Sequence, residues 1–198
     1  MSVSIPERKQ QLRGELRAKL KELPAEEQKA LSAQAAALLQ QQSPWRQASS
    51  VLFYSPLNYE IDLRPLMAVA LDQGKLVALP KFMPDSISYG AFQLKNLSVD
   101  CAPGKFGIHE PLENCPAWPL NQLDLVLVPG VGFDFVGHRL GRGKGFYDRL
   151  LAEVSGIRCG VAFDGQIIAA IPCEPHDVGL DCILTPTRWL DLSGPRPV

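Results

Sequence analysis

Long hydrophobic runs and an excess of charge of one sign are both missing from this chain of 198 residues. No apolar stretch approaches the roughly 20 residues that a membrane-spanning helix needs. The charged segment from Met1 to Lys21 also lacks the apolar core of a signal peptide. The 20 Lys and Arg residues and 21 Asp and Glu residues give a formal charge of −1, which argues against bulk electrostatic binding of nucleic acid or membrane. We therefore expect a soluble, cytoplasmic protein without either partner.

Cysteine and histidine are also scarce, and the sequence has no internal repeat or low-complexity linker. The five cysteines are odd in number and form no C-x-x-C pair, so they predict neither a disulfide framework nor a zinc site. Three scattered histidines predict no histidine metal site. The chain is 46% hydrophobic and 21% charged, which argues against disorder, and its length suits one domain over residues 1–198.

The N-terminal part of the chain has the pattern of two helices. Residues 4–22 predict a helix with a leucine stripe, and Ser4 with Glu7 forms a capping box at its start. Good helix formers from Ala25 to about Gln42 predict a second helix, which Ser43-Pro44 ends. An N-terminal helical pair therefore precedes the rest of the fold.

Strand and helix patterns then alternate. A strand at residues 50–54, a helix at 62–73 and a strand at 76–79, closed by Pro80, make a β-α-β unit and imply a parallel pair. Further strands are predicted at 89–94, in a local hairpin, and at 125–128, 159–163 and 182–184, with a helix at 146–154. The strand at 125–128 is the most hydrophobic and is expected to be central. We predict an α/β fold, a Rossmann-like three-layer α/β/α arrangement around a mostly parallel sheet.

A glycine-rich segment follows the predicted central strand and leads into a helix. It has six glycines between Gly130 and Gly145, with Arg139, Arg142 and Lys144 among them. Glycines let backbone N–H groups approach an anion, and cations add charge-assisted hydrogen bonds. Ligands in open α/β sheets bind at the carboxyl ends of strands. The segment therefore predicts a polyphosphate site, and the alternative is a long surface loop with solvated charges.

The segment matches neither standard phosphate-binding motif. Walker A needs a glycine five residues before Gly143-Lys144 and a Ser or Thr after it, but these positions hold His138 and Gly145. The even spacing of the last three glycines also differs from G-x-G-x-x-G. Asp148 closes the segment and is either a magnesium ligand or a carboxylate favoured at a helix start, which is common. Asp177, just before the last predicted strand, is a candidate for a second magnesium carboxylate.

Several motifs in order closely resemble the 5-formyltetrahydrofolate cyclo-ligase family, and the resemblance extends over most of the chain. The most specific is the run from Arg139 to Asp148, which is similar to the ATP-binding signature of that family. The other matching elements are Lys9 to Arg13, Glu60-Ile61-Asp62, Lys105 to Pro111, Leu123 to Asp134, His176-Asp177 and Thr185-Pro186.

The resemblance implies an enzyme that uses ATP and Mg²⁺ to convert 5-formyltetrahydrofolate into 5,10-methenyltetrahydrofolate, through a phosphorylated formyl group. It implies that Arg142 and Lys144 are catalytic and that Asp148 and Asp177 bind Mg²⁺. The residues that it implies for ATP are Lys9, Gln10, Gln11, Leu12, Arg13, Arg139, Leu140, Gly141, Arg142, Gly143, Lys144, Gly145, Phe146 and Tyr147.

For the folate substrate, the resemblance implies contacts from Arg13, Leu57, Tyr147 and either Glu60 or Asp62, a choice that stays open. Phe82 is a further candidate for the apolar wall of the pterin site. We expect a monomer that binds small molecules. Two other functions are considered, another α/β phosphate-binding enzyme, such as a phosphosugar isomerase or coenzyme A transferase relative, and a folate- or nucleotide-binding protein without catalysis.

Overall fold

The computed structural model describes residues 4–104 and 108–192 of the chain. The five α-helices are α1 (Ile5–Lys21), α2 (Ala25–Gln40), α3 (Ser43–Gln47), α4 (Arg64–Asp72) and α5 (Phe146–Ala152). The strands are β1 (Ser50–Leu52), β2 (Leu76–Met83), β3 (Ser88–Leu94), β4 (Cys101–Pro103), β5 (His109–Pro111), β6 (Ala117–Trp118), β7 (Leu125–Pro129), β8 (Gly132–Asp134), β9 (Arg139–Leu140), β10 (Ile157–Val161), β11 (Ile167–Ile168), β12 (Cys182–Leu184) and β13 (Trp189–Asp191).

The main sheet has eight strands in the order β13-β12-β10-β7-β1-β2-β3-β6. The strands from β12 to β2 run parallel, and β13, β3 and β6 add antiparallel pairs at the edges. This confirms the mostly parallel sheet, the β2–β3 hairpin and the central position of β7. The chain runs outward in one direction from β1 and in the other from β7. A crevice therefore opens between the carboxyl ends of these two strands, where open α/β sheets bind ligands.

Helices cover both faces of this sheet, as the three-layer prediction requires. Val51 and Phe53 point into the core beneath α2, α3 and α4, while Leu52 points into the opposite core beneath α5. In β7, Leu125 and Leu127 point into the core beneath α2, α3 and α4. Val126 and Val128 point into the core beneath α5. Both faces of the central strands are thus buried, which explains their continuous hydrophobic sequence.

Helix α1 packs mainly against a small second sheet of β11, β8 and β9, while Leu20 near its end joins the core beneath α2 and α3. Its capping box forms as expected, since the Ser4 side chain accepts from the Glu7 backbone and Glu7 accepts from Ser4. Leu12 and Leu16 pack with Val131 and neighbouring residues of the small sheet. This packing holds α1 at the carboxyl edge of the main sheet. None of the helices in the described ranges is long and apolar enough to cross a membrane.

Two details of the sequence prediction were wrong. Pro80 does not close its strand, because β2 continues to Met83 and Pro80 pairs with Ala91 of β3. The Ala78 carbonyl faces β1, where it accepts from Phe53. The backbone of Pro80, two residues later, also faces the β1 side, but β1 has already ended there. No strand is therefore present to accept a hydrogen bond from position 80, and the missing N–H of proline costs nothing. Ser43-Pro44 likewise begins the short helix α3 instead of only ending α2, since proline suits the first turn of a helix.

Candidate functional site

A cavity of about 520 Å³ lies at the carboxyl edge of the main sheet. Ser55 follows β1, Pro80 belongs to β2 and Pro129 ends β7, and all three line the cavity. The loop before α5 forms a second wall, and α1 contributes a third. The cavity therefore occupies the crevice that the strand order creates.

Most of the residues that the sequence analysis selected meet in this cavity. Those that line it are Lys9, Arg13, Leu57, Glu60, Arg139, Leu140, Gly141, Arg142, Gly143, Lys144, Gly145, Phe146, Tyr147, Asp148 and Asp177. Gln10 and Gln11 are exposed and do not line it, and Leu12 is buried in the packing of α1. Lys9 and Arg13 are four residues apart and share one helix face, whereas the residues between them point elsewhere.

The structure places the two carboxylates that were candidates for a folate contact differently. Glu60 lines the cavity, and Asp62 does not. Asp62 instead accepts from the Arg64 backbone at 2.9 Å and forms an ion pair with its guanidinium at 2.6 Å. It therefore holds the start of α4. Phe82 is also absent from the cavity wall, but its ring lies 5.0 Å from that of Phe146, which does line the cavity.

Lys9 makes a buried ion-pair cluster at the α1 side of the cavity. Its Nζ donates to Glu174 at 2.9 Å and to Asp177 at 2.6 Å, with only 9% of the side chain exposed. Burial alone would lower the pKa of the Lys9 ammonium, but the hydrogen bonds to both carboxylates outweigh it and raise the pKa. Burial would likewise raise the pKa of Asp177, and the Lys9 bond lowers it instead. Both groups are therefore charged near neutral pH.

Arg139 and Asp148 form a second pair, 2.8 Å apart, beneath the glycine-rich loop. The Arg139 side chain is only 4% exposed, and its Nε has no hydrogen-bond partner among the described residues. A Cβ on Gly141 would lie 2.8 Å from the Arg139 Nη1, so a larger residue at this position would require the guanidinium to shift. A buried donor without a partner is costly, and this one lies in the wall of the cavity.

Glu60 and Arg142 form a third pair in the lining of the cavity. The Arg142 Nη2 donates to the Glu60 Oε1 at 2.6 Å, and the Leu57 backbone donates to Oε2 at 2.8 Å. The Glu60 side chain is only 7% exposed, whereas that of Arg142 is 46% exposed. The pair therefore joins a buried carboxylate to a guanidinium that solvent reaches.

The glycine-rich loop needs glycine at specific positions. Gly143 and Gly145 have φ angles of +100° and +64°, in the region that other residues rarely adopt. Arg13 reaches across from α1, and its Nε donates to the Gly141 carbonyl at 2.9 Å. The loop thus lines the cavity, and a cation of α1 is bound to its backbone.

Two features of the cavity were missed by sequence reasoning. Tyr89 lines the wall, with its ring 5.6 Å from Phe146 and 5.7 Å from Tyr147. The predicted hairpin could have indicated Tyr89 as a lining residue, because Tyr89 lies directly opposite Phe82, which was a candidate for the pterin wall. Burial raises the pKa of Tyr147, so its hydroxyl stays protonated.

The second missed feature is a group of potential metal ligands around Asp177. Atoms of Glu174, His176 and Asp177 lie within 4.8 Å of one another, and this group does not include Asp148. The His176-Asp177 motif signalled the place, but Glu174 lies outside it. All three residues line the cavity, on the side of Lys9.

Other matched motifs hold the framework of the site. Asp134 is only 1% exposed and accepts from the backbones of His138 and Ile171. Thr185 is buried and donates to Asp164 at 2.8 Å. Within the motif from Lys105 to Pro111, positions 105–107 lie outside the described residues, and residues 108–110 line the cavity.

Comparison with known proteins gives one consistent result. The model of the 5-formyltetrahydrofolate cyclo-ligase family matches residues 5–186. The 5-formyltetrahydrofolate cyclo-ligase of Escherichia coli K12 is 32% identical over 177 residues, which cover 87% of this chain and 97% of the relative. The Mus musculus protein of the same name is 29% identical over 194 residues, covering 92% and 96% of the two chains.

A solved structure agrees with these relatives. The NMR structure of Aquifex aeolicus 5,10-methenyltetrahydrofolate synthetase has a TM-score of 0.85 and 32% sequence identity to this chain. The match covers 96% of this chain and 95% of that one. Since the family model spans nearly all of the sequence and the fold agrees over the same range, this chain belongs to the 5-formyltetrahydrofolate cyclo-ligase family.

Proposed function

We propose that this chain uses MgATP to close 5-formyltetrahydrofolate to 5,10-methenyltetrahydrofolate, releasing ADP and phosphate. The observation that supports this most strongly is the set of cations that the cavity collects from α1, β9 and the glycine-rich loop. Lys9, Arg13, Arg139, Arg142 and Lys144 all line the cavity, and a triphosphate needs such a set of cations. Membership of the cyclo-ligase family supplies the substrate class.

The chemistry explains why ATP is needed. The formyl group on N5 is an amide, and its oxygen is a poor leaving group. In the proposed reaction this oxygen attacks the γ-phosphorus, the bond from that phosphorus to the β-phosphate oxygen breaks, and ADP leaves. N10 then attacks the formyl carbon and loses its proton. The C–O bond breaks, and the former formyl oxygen leaves with the phosphate.

Phosphoryl transfer depends mainly on positioning and on charge stabilisation. In our proposal Lys9, Arg13 and Arg139 hold the triphosphate. Arg142 and Lys144 lie on the exposed part of the loop, and either of them stabilises the charge on the transferred phosphoryl group. The glycines around them give the backbone room to approach the phosphates.

The donor chemistry of the cavity fits Mg²⁺, because this ion prefers oxygen ligands and is usually held by one or two carboxylates and substrate phosphates. Asp148 and Asp177 both line the cavity that collects the phosphate-binding cations. We propose that these two carboxylates hold the ion. When bound, Mg²⁺ supplies positive charge that neutralises the phosphate oxygens. Arg139 and Lys9 orient the two carboxylates through the hydrogen bonds described above.

A carboxylate and several apolar side chains in the cavity lining are suited to the folate. Glu60 offers a carboxylate that can pair with the 2-amino group and ring N–H of a pterin. Leu57, Tyr89, Phe146 and Tyr147 give apolar surface beside it. We propose that the pterin lies against this wall, with Arg13 contacting substrate from α1.

A single assay tests the proposed reaction. Purified protein is mixed with 5-formyltetrahydrofolate, ATP and Mg²⁺, and the near-ultraviolet absorbance of the methenyl product is followed. We expect a rise that requires all three additions. A flat trace with folded protein would contradict the proposal. Nucleotide binding without turnover would then support the non-catalytic function, and absence of nucleotide binding would support another phosphate-binding enzyme.

We also propose that one chain forms a complete site, as a single domain that works as a monomer. One chain brings the proposed cations, carboxylates and apolar side chains together around the cavity. Light scattering during the assay should give a mass near 21.7 kDa for the active species. Activity found only in a dimeric fraction would contradict this proposal.

A further inference from the structure

Arg142 has two partners in the proposed function, and the bond that it makes in this structure goes to Glu60. The loop carries it toward the triphosphate, yet its guanidinium is bound to Glu60 at 2.6 Å. Glu60 is the carboxylate proposed to receive the pterin. The same side chain therefore links the nucleotide side of the cavity to the folate side.

Of the two partners, Glu60 is the fixed one. Its backbone N–H donates to the Leu57 carbonyl at 3.1 Å, and its Oε2 accepts from the Leu57 backbone at 2.8 Å. The buried Tyr54 hydroxyl donates to the carbonyl of the next residue, Ile61, at 2.6 Å. These bonds hold Glu60 in one place and leave Oε1 as the oxygen that Arg142 takes.

Arg142 is the partner that can move. It lies between Gly141 and Gly143, and 46% of its side chain is exposed. Glycine lacks the Cβ that restricts backbone rotation, so this part of the loop can change its conformation at low cost. A long, exposed arginine can also reach a new partner by side-chain rotation alone.

We propose that the Arg142–Glu60 pair is a latch that couples the two substrates. Without folate, Arg142 is held on Glu60 and away from the nucleotide. A bound pterin takes the Glu60 carboxylate, and Arg142 is released to the phosphates. This inference rests on the proposed function and adds to it a positioning role for Glu60, which acts through Arg142.

The latch has a definite thermodynamic consequence. Nucleotide that binds first must break the pair or bind without Arg142, whereas nucleotide that binds after folate finds Arg142 released. Folate therefore tightens nucleotide binding, and by linkage nucleotide tightens folate binding by the same factor. Couplings of this kind are commonly about 5- to 150-fold.

The test uses the full chain and a non-hydrolysable ATP analogue, adenosine 5′-(β,γ-imido)triphosphate, with Mg²⁺ and titration calorimetry. In the wild type, saturating 5-formyltetrahydrofolate should tighten analogue binding about fivefold or more. Glu60→Gln should bind the analogue more tightly than the wild type in the absence of folate, because the latch is weakened. Equal affinity of the two proteins without folate would overturn the proposal.

Two further variants separate the latch from a general effect of charge. Arg142→Gln should bind the analogue equally well with and without folate, and full coupling in this variant would contradict the latch. Adding Glu60→Gln to Arg142→Gln should change nucleotide affinity no further. If Glu60→Gln still tightened binding in that background, the effect would be one of charge and the latch would be excluded.

Arg64→Gln is a matched control, because it breaks another 2.6 Å pair with a similarly exposed arginine outside the cavity. It should keep the wild-type coupling. Failure of the proposed reaction would appear as an absence of methenyl product. Failure of the latch alone would leave the reaction intact, with nucleotide affinity independent of folate and of Glu60.

Discussion

The two edges of the main sheet use carboxylates in different ways. At the amino edge, Asp124 accepts from the backbones of Ser49 and Ser50 at 2.8 and 2.9 Å, and from the Ser50 hydroxyl at 2.9 Å. Asp181 accepts from the Arg158 backbone at 2.8 Å. These partners cannot leave unless the chain unfolds locally. Such carboxylates therefore fix the start of a strand.

At the carboxyl edge, the cavity carboxylates are paired with side-chain cations. The pairs are Glu60 with Arg142, Asp148 with Arg139, and Asp177 with Lys9. A side-chain cation can exchange its carboxylate for a phosphate without any change in the fold. The type of partner, more than burial, therefore separates a carboxylate that holds the fold from one that takes part in binding.

The largest effect is expected at the cavity. Lys144→Ala should lower kcat by about 10²- to 10³-fold, the loss typical when a donor to the developing charge is removed. Lys144 is exposed, so the melting temperature should change little. Steady-state kinetics with the methenyl assay and a thermal melt measure the two effects. A fully active Lys144→Ala protein would remove this lysine from the proposed mechanism.

The opposite behaviour is expected at the amino edge. Asp124→Ala should lower the free energy of unfolding by about 1–2 kcal/mol, because the buried Ser50 donors at the start of β1 lose their acceptor. Its kcat per folded molecule should stay at the wild-type value. Urea unfolding and the methenyl assay would test this, and a large loss of kcat in stable protein would break the contrast between the edges.

A smaller effect is expected when one metal carboxylate is neutralised. Asp148→Asn should raise the Mg²⁺ concentration for half-maximal rate roughly tenfold. This is the lower end of the loss of metal affinity that is typical when groups around a metal are changed. The amide oxygen can still accept from Arg139, so folding should survive. Asp181→Asn is the matched control and should leave the Mg²⁺ titration unchanged. Identical titrations for Asp148→Asn and the wild type would exclude Asp148 from the metal site.

The smallest effect concerns Asp164, which lies at the carboxyl edge but outside the cavity wall. Burial would raise its pKa, but hydrogen bonds from Thr187, Thr185 and Arg188 outweigh burial and lower it. A lowered folded-state pKa stabilises the fold above the unfolded value of 3.8, and this contribution is lost as the pH falls through the folded-state pKa.

Asp164→Asn should therefore be less stable than the wild type from about pH 5 to 8, and the gap should narrow below about pH 4. Urea midpoints measured across this range give the result. A gap that stayed constant down to pH 3 would show that the charge of Asp164 does not stabilise the fold.

Local sequence signals predicted the framework well. The Ser4 and Glu7 capping box, the buried run from Leu125 to Val128 and the β2–β3 hairpin all depend on residues close in sequence. The prediction that Pro80 ends its strand was wrong. Pro80 is tolerated within β2 because β1 ends early, and the sequence around Pro80 does not contain that information.

The site was harder to predict, because its contacts join distant segments. Lys9 and Asp177 are 168 residues apart, and no local pattern contains their pairing. The choice between Glu60 and Asp62 depends on where Arg64 and Arg142 lie, and the presence of Gln10 and Gln11 in a motif did not reveal that they face solvent. Family resemblance therefore located the segments, and the geometry of the described residues selected among their side chains.

The central claim is that the cavity transfers the γ-phosphoryl group to the formyl oxygen of the folate. The most direct test is to label that oxygen with ¹⁸O and to analyse the phosphate released with ATP and Mg²⁺ by mass spectrometry. The account predicts one ¹⁸O atom in each phosphate formed together with methenyl product. Unlabelled phosphate, with the label recovered in water, would contradict it.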